Sequence, residues 1–210
     1  MMCARAMRWC VFMMWIPCLH AQCSPGYLYN TSSIAVLSDL ANHVIYTYDV
    51  TNNILTPIAG TFGTPGYMNG VNSLLNTPSK AVLTPDGTGV LFADTNNMVI
   101  RKVDIASRSV STVVGTKYTF GVEVSTIQQT AVDGVGSAAS FYKPQYIQFS
   151  NDSSKFYVST EYFQIVRRVT YPGFVTSTIL GTVMDTWGSA DGILGAGGSL
   201  LRKCLLRKCF

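Results

Sequence analysis

The sequence predicts an all-β chain of about three four-stranded antiparallel units set side by side. Three observations carry that expectation. The frame from Leu91 to Gly115, LFADTNNMVIRKVDIASRSVSTVVG, is echoed 55 residues upstream by Val36 to Gly60 and 66 residues downstream by the segment ending at Gly181. Within each copy, short runs rich in Val, Ile, Tyr and Thr are parted by Asn, Asp, Gly and Pro, the punctuation of hairpins. The composition, 48% hydrophobic and 12% charged, is that of a folded chain. A unit of this size cannot bury both its faces alone and must stack on copies of itself.

In the first copy the expected strands are Ser33 to Leu37, His43 to Asp49 and Ile54 to Ala59, turned by Asp39 to Asn42 and by Thr51-Asn52-Asn53. The second has four: Lys80 to Thr84, Val90 to Ala93, Val99 to Asp104 and Ser109 to Val114, with Pro85-Asp86-Gly87 and Asp94 to Asn97 as turns. The third has Gln145 to Ser150, Lys155 to Ser159, Gln164 to Val169 and Phe174 to Leu180. Ile45, Ile100 and Val166 hold one repeat position and are expected in equivalent buried places. Four short strands per repeat is a propeller blade. The connectors share an ending: Asp133-Gly134-Val135-Gly136 leads to Pro144, Asn69-Gly70-Val71-Asn72 leads to Pro78, and Asp191-Gly192 begins a third. Asp133 reads as a turn former.

ADTNNMVIRKVD together with DGVGSAASFYKPQYI resembles the NHL repeat, the blade of six-bladed propellers related to the gluconolactonase and paraoxonase-like group; the likeness covers about residues 33 to 195. The first copy departs from the motif at Tyr46 and Thr47, where its basic pair belongs, and the third at Thr160 and Phe163, which replace Asp94 and Asn97. The resemblance implies a partial propeller acting as a binding or scaffolding module, with a calcium-dependent lactonase or esterase-like hydrolase as the alternative. Calcium is the one candidate cofactor it brings, with Asp94, Asn96 and Asn97 as the densest set of hard oxygen ligands. The bland reading of those residues is a capped hairpin turn.

Residues 1–21, with Arg5 and Arg8 ahead of an apolar run from Trp9 to Leu19 and a small-residue step at Ala21, have the layout of a secretory signal peptide. An uncleaved membrane anchor is the alternative, against which Pro17 and the shortness of the run both argue. Residues 22–32 form a lead containing Cys-x-Pro-Gly-Tyr, residues 33–198 the blades, and residues 199–210 an irregular basic tail with LLRKC twice. The chain is therefore expected to be exported, with N-glycosylation sequons at Asn30 and Asn151. Removing the signal leaves Cys23, Cys204 and Cys209, an odd set.

The net charge of +4 does not make a nucleic-acid reader, because Arg202, Lys203, Arg207 and Lys208 lie in the tail and the body is slightly acidic. His43 is the one histidine beyond the signal, which leaves neither a Ser-His-Asp arrangement nor a zinc set. Arg101, Arg167 and Arg168 either face a partner, a protein or a glycan, or bridge carboxylates between blades. Three blades fall short of the four to eight that close a ring, so closure calls for the remainder of a longer chain or for a homodimer joined head to tail. Terminal repeats ordinarily carry a polar outer face, and none is expected at either end of this sequence.

Overall fold

Each sheet forms where the repeat places its strands. The computed structural model describes residues 33–117, 131–160 and 165–181; the signal, the lead with Asn30 and Cys23, Phe163, Gln164, the Asp191-Gly192 step and the tail with Cys204 and Cys209 lie outside them. The first sheet is β1 (Ile34–Asp39), β2 (Val44–Asp49) and β3 (Ile54–Ala59), in that order. The second runs β4 (Pro78–Leu83), β5 (Gly89–Asp94), β6 (Val99–Asp104), β7 (Val110–Val114). The third is β9 (Pro144–Phe149), β10 (Lys155–Thr160), β11 (Val166–Thr170) and β12 (Val175–Leu180), with a short fifth strand, β8 (Gly134–Val135), outside β12. The described residues thus hold sheets of three, four and five strands. These are the three expected blades, with three strands described in the first and four in each of the others; the addition is β8, where a connector turn pairs with the outer edge of the blade that follows it.

The interfaces between blades are apolar on both sides. One cluster joins Ile45, Ile58, Ala59 and Leu75 to Ala81, Val90, Phe92, Val103 and Val110, the face of the second blade turned to the first. Leu91, Ala93, Ile100 and Val114, on its other face, meet Phe141, Ile147, Phe149, Phe156, Val158 and Val169. That is why all six residues of β5 are buried. A strand buried on both faces reads as a continuous apolar run, whereas β10, covered on one face, alternates. Ile45, Ile100 and Val166 are all buried, as their shared repeat position predicts.

The two end faces differ. The first blade turns Ala35, Leu37, Tyr46, Tyr48 and Leu55 away from the second; they stand in register across the sheet and occupy the positions of Val90, Phe92, Arg101, Val103 and Val110. The far face of the third blade carries Gln148, Tyr157, Arg168 and Ser177 in one cross-strand row, with Tyr146 and Ser159 beside it. Val82, Leu91 and Ala93 of the second blade have there become Gln148, Tyr157 and Ser159. The expectation that neither end has a polar face therefore holds for the first blade and fails for the third. The sequence concealed it because the exchanges fall at alternate positions inside strands that still read as β.

The turns repeat more faithfully than the side chains. Gly60, Gly115 and Gly181 close the three copies at φ 91°, 101° and 86°. The same left-handed region recurs at Asn53, Arg108 and Phe174, at His43 and Met98, at Thr77 and Lys143, and at Gly87 and Ser153, always 55 or 66 residues apart. Acidic side chains cap the turns at repeated places. The Asp49 carboxylate accepts the N–H groups of Thr51 and Asn52, and that of Asp104, its repeat partner, accepts the Ser107 N–H. Asp86 and Asp152 likewise accept from Thr88 and Ser154.

Two predictions follow from the turns. At Gly60 a Cβ would run into the His43 carbonyl oxygen in a backbone conformation that L-residues avoid. Gly60→Ala is expected to destabilise by at least about 1 kcal/mol in urea unfolding; an unchanged midpoint would contradict the geometry. Hydrogen bonds hold the carboxyls of Asp49, Asp86, Asp104 and Asp152 below the usual range. A depressed folded pKa gives stability that is complete above the unfolded value of about 4 and is lost as pH falls through the folded one. The melting temperature should be level from pH 7 to about pH 5 and decline below about pH 4, and a rise on acidification would reverse the sign.

Candidate functional site

The polar centre of each complete blade is an arginine that the sheet buries. Arg101 on β6 and Arg167 on β11 have no exposed surface and hold the same repeat position. Arg101 donates from Nη1 to the Leu74 carbonyl at 2.7 Å and the Asp94 carboxylate at 2.9 Å, and from Nη2 to the Met68 carbonyl at 2.6 Å and Asn69 Oδ1 at 2.7 Å. Arg167 donates from Nη1 to the Ser140 carbonyl at 2.9 Å, and from Nη2 to the Val132 carbonyl at 2.7 Å and the Asp133 carboxylate at 2.8 Å. Each guanidinium also lies over a ring of its connector region, 4.9 Å from the centroid of Tyr67 and 5.1 Å from that of Phe141. The planar fork of the arginine thus clasps the connector that enters its own blade through several of its carbonyls at once.

This placement corrects the reading of Arg101 and Arg167 as partner-facing residues. Their charge is spent within the chain, and buried donors cannot meet a ligand. Arg168, one residue on and pointing to the opposite face, is exposed, with Nε donating to Ser177 Oγ at 3.2 Å. A signal that could have separated them was in the sequence: Arg101 and Arg167 follow a connector residue able to accept, Asn69 or Asp133, by 32 and 34 residues. Asp133 is accordingly more than a turn former, since its carboxylate holds Arg167 and accepts from Thr178.

Each clasp contains one carboxylate, at different places. In the second blade it is Asp94, at the end of β5, and the connector offers neutral Asn69. In the third, Thr160 replaces Asp94 and the connector offers Asp133. One negative charge per buried guanidinium is kept while its source moves. The two are unlike in burial, Asp94 being enclosed and Asp133 half exposed. Burial pushes the Asp94 carboxyl up, against the pull of its Asn97, Arg101 and Asn76 donors.

The proposed calcium ligands do not converge as ligands. Both Asp94 oxygens point at donors, Oδ1 at the Asn76 N–H and Oδ2 at Asn97 Nδ2 and Arg101 Nη1. Asn97 Nδ2 also donates to the Gly66 carbonyl, and Asn96 Oδ1 accepts from the Lys143 ammonium at 2.8 Å. A pocket lined by an arginine and a lysine repels a divalent cation, so these residues do not fit calcium. Among the described residues there is also no group of three or more His, Cys, Asp and Glu side chains that could hold a metal ion. The turn reading of Asp94 and Asn97 is the one the geometry matches, and Asp39 and Asn42 repeat it in the first blade.

The remaining polar residues join blades. His43 Nδ1 accepts the Thr77 N–H at 3.0 Å, tying the first blade to the entry of the second. One interface further on, Thr95 Oγ1 donates to the Pro144 carbonyl, Ser79 Oγ to the Gln145 carbonyl, and Lys143 to Asn96.

Removing Asp94 alone leaves a buried guanidinium without its counter-charge, at a cost of about 3–5 kcal/mol. Asp94→Asn should show that loss in urea unfolding. Asp94→Thr combined with Asn69→Asp, which writes the third blade's arrangement into the second, should recover more than half of it. A double variant no more stable than Asp94→Thr would show that the carboxylate cannot change places.

No protein-family model matches the chain, and no curated protein matches it. Solved structures do resemble it. A protein of unknown function from Bacteroides thetaiotaomicron is 18% identical, covering 69% of this chain and 33% of its own, with a TM-score of 0.52. An auxiliary nutrient binding protein from the same organism is 22% identical over 60% of this chain and 32% of its own, with a TM-score of 0.45. Virginiamycin B lyase from Staphylococcus aureus is 12% identical over 69% and 36%, with a TM-score of 0.42. The chain spans about a third of the length of each. With the three antiparallel sheets stacked face to face, the first of these likenesses identifies the chain as all-β, a partial β-propeller of three blades.

Proposed function

We propose that this chain is an exported, non-catalytic binding or scaffolding module built on propeller blades. One observation supports this above the others: the polar side chains that a hydrolase on this fold would direct at a substrate are already engaged in holding connectors and blades together. Asp94 is enclosed by its donors, Asn96 faces an ammonium, and His43 Nδ1 receives a backbone N–H. Among the described residues, those available to meet a protein or a glycan lie on the far face of the third blade, where Gln148, Tyr157 and Arg168 form a cross-strand row with Tyr146 beside it.

Export rests on the signal-like residues 1–21 and on the two sequons. Asn151 is exposed in the β9–β10 turn. Asn30 lies outside the described residues. Among the described residues no helix is long and apolar enough to cross a membrane.

The chain expressed through a secretory route should appear in the medium without residues 1–21 and lose mass on treatment with an N-glycosidase. The purified product should turn over neither lactones nor aryl esters, with or without added calcium. Saturable turnover abolished by Asn96→Ala or His43→Ala, in variants that melt normally, would replace the binding module with the enzyme.

A further inference from the structure

Asn69-Gly70 is the one Asn-Gly step in the chain. Such a step has a chemistry of its own, because glycine carries no Cβ to keep its backbone nitrogen from the carboxamide before it. The Gly70 nitrogen, its proton passed to solvent, can attack Asn69 Cγ and close a five-membered succinimide while Nδ2 takes up a proton and leaves as ammonia. Water then opens the ring at one of its two carbonyls, giving aspartate or isoaspartate. The sum is asparagine and water in, an acid and ammonia out, with no change of oxidation state.

Packing does not shield this step. Asn69 is exposed, and a Cβ built on Gly70 would meet nothing within 4 Å. Hydrogen bonds alone restrain it. The Gly70 N–H, whose nitrogen is the attacking atom, donates to the Val110 carbonyl at 2.8 Å, and the Val110 N–H donates back to the Gly70 carbonyl at 3.1 Å. Asn69 Oδ1 accepts from Arg101 Nη2 at 2.7 Å and from Thr112 Oγ1 at 3.4 Å. Arg101 is itself enclosed and tied to Met68, Leu74 and Asp94, so the side chain it holds has a fixed anchor. The guanidinium also polarises the carboxamide, which by itself would favour attack. The backbone pair decides between these effects, because an N–H engaged in a hydrogen bond yields its proton to solvent only when the bond opens.

We propose that Asn69 is a deamidation site gated by the Arg101 clasp, silent while Gly70 is paired with Val110 and reactive when that pair opens. The aspartate product has a counterpart in the third blade, where Asp133 precedes Gly134 and accepts from Arg167; it leaves the backbone as it was and the pairing intact. Isoaspartate routes the main chain through the side chain and adds one backbone atom ahead of Gly70. Gly70 then falls out of step with Val110, and the outer edge of β7 loses its cover. A transient opening of the clasp is in this way converted into a permanent one. The gate does not depend on what the chain binds.

The test incubates the full chain at mildly alkaline pH, folded and in urea, and follows by peptide mapping the gain of mass that turns the Asn69 carboxamide into an acid. Deamidation is expected to be at least about tenfold slower in the folded chain, where it must await local opening. Arg101→Lys, which loses the fork, should speed it several-fold, while Arg167→Lys, the same lesion in the third blade, should leave it unchanged. In urea too dilute to unfold the chain, hydrogen exchange at the Gly70 amide and deamidation should rise together, a measurement that stands even where a variant fails to fold. Folded chain carrying isoaspartate should exchange its Val110 amide faster than unmodified chain. The inference is overturned by equal rates folded and unfolded, by Arg167→Lys accelerating the reaction as much as Arg101→Lys, which would mean reaction through global unfolding, or by a Val110 amide that stays protected beside isoaspartate.

Discussion

A guanidinium taken out of water is tolerated only where its charge and most of its donors find partners, and in the two complete blades the Nη atoms of Arg101 and Arg167 find them while each Nε is left without one. The connector entering each blade turns carbonyls toward the sheet, and those of Met68, Leu74 and Val132 each already accept one backbone N–H. Arg101 and Arg167 supply a second donor to them. Because each side chain reaches its connector from the middle of a strand, the same contact that solvates the guanidinium also fixes the path of the chain between blades. The connector then brings Leu75 or Phe141 into the interface and lays its glycine along the outer edge of the blade. Packing between blades and closure of the outer edge are in this sense downstream of one hydrogen-bonded contact.

In the first blade Tyr46 stands where the arginine belongs, and among the described residues no strand lies outside β3. Among the described residues the buried polar groups of the two clasps are consumed by architecture.

Most of the architecture could be read from the repeat. Strand positions, the αL glycines at Gly60, Gly115 and Gly181, and the buried trio Ile45, Ile100 and Val166 all follow from aligning one copy on another, because spacing and alternation are properties of the chain itself. What could not be read was where polar atoms end up. An arginine in a strand and an aspartate before a glycine each suggest a surface when taken singly. Their meeting across more than thirty residues depends on a connector path that no local pattern encodes. Asp94, Asn96 and Asn97 looked like oxygen ligands for the same reason, since a carboxylate ringed by donors and one awaiting a cation have the same letters. The polar far face of the third blade was hidden by the opposite effect, three exchanges too sparse to alter the strand signal.

The left-handed turn positions lead elsewhere. Asn53, Arg108 and Phe174 occupy one repeat place at φ 57°, 57° and 52°, and Thr77 and Lys143 another at 56° and 47°. Nothing about phenylalanine or threonine favours that region, where a side chain costs about 1–2 kcal/mol against glycine. Backbone shape has been inherited across the copies while residue identity drifted, and the conformational debt has been carried by the interfaces. Tolerance of such residues is a measure of how much the stacked blades have in reserve, and the turns, not the core, are where this chain has room to become more stable.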